Sequence, residues 1–112
     1  MRPASSSSGA ALGYDFSDPH YAASKAGMIG LAKELSQELA KHRINVNVLG
    51  TGLTDTRMAH LPGRSWEDET KGLPWYRVGT PKDQASAIVF LVSEAAEYIT
   101  GQVLCPNGGA WM

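Results

Sequence analysis

Polar residues crowd the first seventeen positions, and no apolar periodicity runs through them. Ser5, Ser6, Ser7 and Ser8 stand in a row before Gly9, so residues 1–17 read as a serine-rich loop with Tyr14 and Phe16 as isolated aromatics. Ser17-Asp18-Pro19 is a helix-start signal: a polar cap followed by proline near the first helical position. A helix is predicted over 18–42. Met28, Leu31, Leu35 and Leu39 recur at helical spacing, and Lys33, Glu34, Glu38 and Lys41 occupy other faces. Ala22, Ala23, Ala26, Gly27 and Gly30 are small for one helix. They imply close packing against another helix or a binding region, at a cost in helix propensity.

Residues 43–56 hold a short β-branched run, Ile44-Asn45-Val46-Asn47-Val48-Leu49, which predicts a buried strand, and then a loop from Gly50 to Thr56. Between 57 and 78, Pro62, Gly63, Gly72 and Pro74 break any long element, with Trp66, Trp75 and Tyr76 among them. Residues 79–112 open on Thr80-Pro81 and predict a helix over 82–93, with Ala85, Ile88, Val89 and Val92 on one side. A last strand is expected over 102–105, followed by Pro106-Asn107-Gly108-Gly109. Helix, strand, helix, strand in that order implies an α/β fold with a parallel, right-handed βαβ unit. No internal repeat is visible.

Composition narrows the classes. A chain of 112 residues with 43% apolar and 19% charged residues suits one small soluble domain. The formal charge is −1 without a basic block, so no electrostatic footprint for nucleic acid or an anionic membrane is present. No apolar run reaches the length of a membrane span. Cys105 is the only cysteine, which excludes an internal disulfide and fits a reducing cytoplasm. His20, His42 and His60 are dispersed, so no metal site is expected.

One spacing carries chemistry. Tyr21 and Lys25, four residues apart, share a helix face. A free phenol has a pKa of about 10, and a fixed cation nearby favours its ionised form, which suits a phenol to general acid/base work. The same spacing also arises by chance on a helix surface, and the flanking segments decide between the two.

Tyr21-Ala22-Ala23-Ser24-Lys25-Ala26-Gly27 resembles the active-site helix of the short-chain dehydrogenase/reductase (SDR) superfamily. Residues 44–56 resemble its next strand and cofactor loop; Arg77-Val78-Gly79-Thr80-Pro81 with Asp83 and Ala85, then Phe90-Leu91, resembles its next helix. Tyr98-Ile99-Thr100-Gly101-Gln102 and Pro106-Asn107-Gly108-Gly109 resemble its closing strand and turn. The resemblance implies a partial Rossmann-like doubly wound fold: the active-site helix and the last two parallel strands with their helices. It also implies an NAD(P)-dependent oxidoreductase interconverting a carbonyl and a secondary alcohol. In that pattern Tyr21 is the proton donor and acceptor, and Lys25 hydrogen-bonds the nicotinamide ribose. Gly52, Thr54 and Thr56 contact the cofactor, and a serine holds the substrate oxygen. The family's Ser-Ser-x-x-Gly order selects Ser6, whereas its usual separation from the tyrosine selects Ser8; Ser6 is preferred. Thr51 stands where the family has proline, and Asn107 where it commonly has aspartate, a change the turn should tolerate because both residues suit turns. Gly50-Thr51-Gly52 lacks the third glycine of a dinucleotide fingerprint. Residues 57–76 match the variable substrate loop, where Met58, Leu61, Trp66, Trp75 and Tyr76 are candidates for an apolar pocket, with Glu67-Asp68-Glu69 facing solvent.

The resemblance covers the family's C-terminal half; its glycine-rich phosphate turn has no counterpart in these residues. The expected cofactor is NAD or NADP, the expected partners a small carbonyl or alcohol substrate and, in a full-length context, further copies in a dimer or tetramer. The 112 residues alone are expected to bind neither cofactor usefully. The alternative is a non-catalytic SDR remnant that at most oligomerises.

Overall fold

A computed structural model describes residues 4–8, 19–57, 59–60 and 65–111. Its first element corrects the expected loop. β1 (Ala4–Ser8) is a strand pairing in parallel with β2 (Asn47–Thr51), with Ser6 opposite Leu49 and Ser8 opposite Thr51. A serine run offers no apolar alternation to read, so only its hydrogen-bonded neighbour reveals it as a strand. The rest of the expected loop, with Tyr14 and Phe16, lies outside the described residues. β3 (Val103–Leu104) pairs in parallel on the other side of β2. The sheet therefore has three strands in the order β1-β2-β3, one more than the sequence suggested.

α1 (Pro19–Leu39) continues into a 3-10 turn at Ala40–His42, and Arg43 reverses the chain at φ 55°. β2 begins three residues later than predicted. Asn45 Nδ2 donates to the Ala96 and Glu97 carbonyls (3.2 and 2.7 Å), and the Val46 N–H donates to Thr100 Oγ1 (3.0 Å). These residues thus bind the approach to β3 before strand pairing starts. α2 (Trp66–Lys71) is a short helix inside the region of breakers, capped by Ser65. α3 (Pro81–Val92) starts at a capping box, in which Thr80 Oγ1 accepts from the Asp83 N–H and the Asp83 carboxylate accepts from the Thr80 N–H.

The core lies between α1 and the sheet. Ala32, Val46 and Val48 are buried, with Ile29, Leu35, Leu39, Ile44 and Val103 packed around them. Leu49, one residue on from Val48, is equally buried and by strand alternation faces the opposite side. α3 contacts β2 and buries Leu91, so helices cover both faces of the central strand. Two predicted stripes are corrected. On α1, Leu35 and Leu39 pack on the core as expected, whereas Leu31 is 61% exposed and the buried residues are Ala32 and Ser36. On α3, Ile88, Val89 and Val92 face solvent while Gln84 and Leu91 point inward. Apolar spacing identifies a face but not what covers it. The expected close packing at Gly27 and Gly30 is likewise not found among the described residues, because a Cβ at either position meets nothing within 4 Å. No helix of the described residues is long and apolar enough to cross a membrane, and no group of acidic, His and Cys residues among them could hold a metal ion.

Candidate functional site

The parallel topology gathers the candidates at one end of the sheet. α1 returns from the end of β1 to the start of β2, so its first turns and the loop after β2 both lie at the carboxyl ends of the strands, where ligands bind in open α/β sheets. Tyr21 and Lys25 occupy those first turns. Lys25 Nζ sits 5.5 Å from the Tyr21 ring centroid, a cation–π approach, and Tyr21 is 39% exposed. Ser24, between them, turns its hydroxyl back onto the Tyr21 carbonyl at 2.7 Å. Ser6 lies mid-strand in β1, and Ser8 is the last paired residue, opposite Thr51 where the β2 loop begins.

The loop holding Gly52, Thr54 and Thr56 is tightly braced. A Cβ on Gly52 would come within 2.8 Å of Asn107 Cα, so glycine is needed for the two chain segments to touch. No helix follows Gly50-Thr51-Gly52, in keeping with the absence of a phosphate-binding fingerprint there. The Thr54 hydroxyl donates to the Gly52 carbonyl (2.9 Å). The Gly79 N–H donates to the Leu53 carbonyl (3.0 Å), and the Asp55 N–H donates to the Gly79 carbonyl (2.8 Å). His60 Nε2 closes on Asp55 Oδ1 at 2.6 Å. Thr56 is exposed at the loop's outer end.

Sequence reasoning missed Gln84. Its side chain is 8% exposed, and Nε2 donates both to Thr54 Oγ1 (3.2 Å) and to the Pro106 carbonyl (3.0 Å). Because a carbonyl can only accept, Pro106 sets which end of the amide faces it. Oε1 has no hydrogen-bond partner among the described residues. The only available signal was a polar residue within a helix of apolar positions, and that does not separate a clamp from a surface glutamine. Asn47 was also missed. It is buried, donating from Nδ2 to the Ile99 carbonyl (2.8 Å) and accepting from the Gln102 N–H (3.1 Å).

Asp83 adds a charge to the capping box. Arg77 Nη1 and Nη2 both donate to its carboxylate, at 2.8 and 3.2 Å. The Arg77 hydrogen bonds, with those from the Thr80 N–H and hydroxyl, hold the Asp83 carboxyl well below the usual carboxylate range, and Asp83 in turn raises Arg77. The turn after β3 keeps its shape with asparagine, as expected. Asn107 Oδ1 accepts from the Gly109 N–H (2.9 Å), and Gly108 and Gly109 take φ of 61° and 80°. Asparagine also does what aspartate could not, donating from Nδ2 to the Trp111 carbonyl (2.8 Å).

Of the five pocket candidates, Trp75 lines a cavity of about 320 Å³ between the β2 loop and this turn. Tyr76 does not: it is 80% exposed at φ 53°. Met58 and Leu61 lie outside the described residues, as does the Trp66 side chain. Glu67 and Asp68 face solvent, and Glu69 is half-buried.

The residues present fit the nicotinamide end of a dinucleotide. Gly52 closes on Asn107 at the sheet's carboxyl end, Thr54 is held on that loop, and Lys25 carries an ammonium on the first turns of α1, the residue types that would hold such a group.

Comparison with known proteins bears on the family and the fold. Residues 4–110 match the family described as Enoyl-(Acyl carrier protein) reductase. The chain is 45% identical over 91 residues to 3-oxoacyl-[acyl-carrier-protein] reductase FabG of Chlamydia trachomatis, covering 80% of this chain and 37% of the relative. It is 43% identical over 94 residues to 3-oxoacyl-[acyl-carrier-protein] reductase MabA of Mycobacterium tuberculosis, covering 83% and 38%. A crystal structure from Brucella melitensis, a short-chain dehydrogenase/reductase described as glucose/ribitol dehydrogenase, superposes with a TM-score of 0.92 at 33% identity, covering all of this chain and 46% of that one. The chain thus spans under half the length of each of these proteins. Serine strand, Tyr–Lys helix, braced loop and closing turn are arranged here around one parallel sheet, and the matches show that the chain belongs to the short-chain dehydrogenase/reductase superfamily of NAD(P)-dependent oxidoreductases.

Proposed function

We propose that these residues form the proton-transfer side of an NAD(P)-dependent oxidoreductase that interconverts a ketone or other carbonyl with a secondary alcohol. The observation that carries this reading is Lys25 Nζ held 5.5 Å from the Tyr21 ring on the exposed start of α1. The cofactor, when bound, supplies or accepts the hydride at the substrate carbon. In the reducing direction the Tyr21 hydroxyl gives its proton to the carbonyl oxygen, so hydride and proton together make the alcohol; oxidation reverses both transfers. Lys25 holds the ribose hydroxyls and balances the charge that remains on Tyr21. The serine of β1, Ser6 by preference over Ser8, donates to the substrate oxygen. Gly52, Thr54 and Thr56 would hold the carboxamide end of NAD or NADP.

The test is a graft. Residues 4–110 replace the matching segment of the Chlamydia trachomatis reductase, and oxidation of NADPH and NADH is followed with a carbonyl substrate. Activity in the graft, lost on Tyr21→Phe, supports the reading; a folded graft with no activity overturns it.

A second reading has its own observation. Ile88, Val89, Phe90 and Val92 are exposed on α3, with Leu104 beside the sheet edge. Such a face supports self-association of the chain, with or without catalysis. Sedimentation of the wild type and of Val89→Asp measures it: a monomer in both cases removes this reading.

A further inference from the structure

The cavity between the β2 loop and the closing turn has an apolar wall of Leu53, Leu73, Trp75 and Pro106, with Arg77 and Asp83 also lining it. Among the described residues, Tyr21, Lys25, Gly52, Thr54 and Thr56 take no part in that lining. Its volume of about 320 Å³ falls at the small end of the range for small-molecule sites, about 300–1,000 Å³. We infer that this cavity, built partly on Leu73 and Trp75 of the expected substrate loop but not lined by Tyr21 or Lys25, is a binding site for a small, uncharged, aromatic molecule.

Three features build it. Gln84, itself buried, holds the Pro106 carbonyl and the Thr54 hydroxyl with one amide, which fixes the two walls relative to each other. Gly108 at φ 61° lets the turn approach Trp75, where a Cβ would come within 3.0 Å of Trp75 Cβ; Gly109 takes φ 80° beside Pro74, which a Cβ would meet at an ordinary 3.5 Å. The charges at the rim answer each other. Arg77 is engaged by both Asp83 oxygens and by the Val78 carbonyl, and Asp83 also holds Thr80. An anion would have to displace Asp83 from Arg77, and a cation would have to displace Arg77 from Asp83. Neither charge is favoured, which leaves an uncharged guest. Trp75 supplies the reason for an aromatic one: it is 65% exposed although it belongs to the apolar wall, so indole surface remains for a ring to stack against.

The test is a titration of the isotope-labelled 112-residue chain with 2-naphthol, followed by nitrogen–proton correlation spectra. The charged counterparts 2-naphthalenesulfonate and 2-naphthylmethylamine are run alongside. Saturable shifts at the Trp75 indole N–H and the Leu73 and Asn107 amides are expected, with 2-naphthol binding at least tenfold more tightly than either ion. Trp75→Ala, at an exposed position, should weaken binding at least tenfold while the remaining resonances keep their positions; Leu73→Ala gives the same reading from a second lining residue. Shifts that do not saturate overturn the proposal. So do shifts spread equally over Trp66, Trp75 and Trp111, or a sulfonate that binds as well as 2-naphthol.

Discussion

Tyr21 stands 39% exposed on the first turns of α1 with Lys25 half-buried beside it, and among the described residues nothing crowds Gly27 or Gly30 farther along. Around β2 the polar residues are placed in the opposite way. Asn47 and Gln84 are buried, and their amides hold the backbone of segments far away in sequence. The residues proposed to react must meet a substrate, and an accessible place at the start of α1 suits that role. Buried amides must satisfy every atom they can, so they specify how loops and strands assemble. Polarity alone does not distinguish these roles; burial does.

Mutation can break or sharpen that contrast. The largest expected effect is on chemistry alone: Tyr21→Phe in the graft lowers carbonyl reduction by about 10²- to 10⁴-fold with little change in Tm. A comparable loss of stability would place Tyr21 with the structural residues instead. Asn47→Ala should do the reverse, destabilising the chain by about 2–4 kcal/mol in urea denaturation because the Ile99 carbonyl and Gln102 N–H both lose their partner. Thr80→Ala removes the cap of α3 and should cost about 1 kcal/mol by the same measurement. Gly27→Ala should stabilise α1 by about 0.5–1 kcal/mol, since the new methyl meets open space. Destabilisation, or loss of a dimer, would show that another surface covers that face.

The smallest effect is a pH dependence. The Asp83 carboxyl titrates near the ordinary value, about 3.9, in the unfolded chain and well below it in the folded one. Its contribution to stability is therefore full above about pH 5 and is lost as the pH falls through the unfolded value towards the folded one. Carbon NMR of the Asp83 carboxyl should show it still ionised at pH 3. A midpoint near 3.9 would mean that Arg77 and Thr80 do not hold it.

Much of this was legible in the chain. Pro19, Thr80-Pro81 and the turn at Asn107-Gly108-Gly109 mark their elements because proline and glycine act through local backbone geometry. The Tyr21–Lys25 pairing follows from helical pitch alone, since residues four apart lie on one face. Long-range partners could not be read in this way. β1 is a strand only because β2 lies alongside it, β2 starts at Asn47 because Asn45 and Val46 are taken by residues 96–100, and Gln84 acts only where α3 meets the Thr54 and Pro106 loops. The amino-acid order by itself determined the α/β class, the two long helices and the Tyr–Lys pair, because each rests on interactions within a few residues. Tertiary structure decided the third strand, which apolar faces lie inside, and which amides brace the loop after β2, because burial and strand pairing depend on neighbours 22 to 55 residues away.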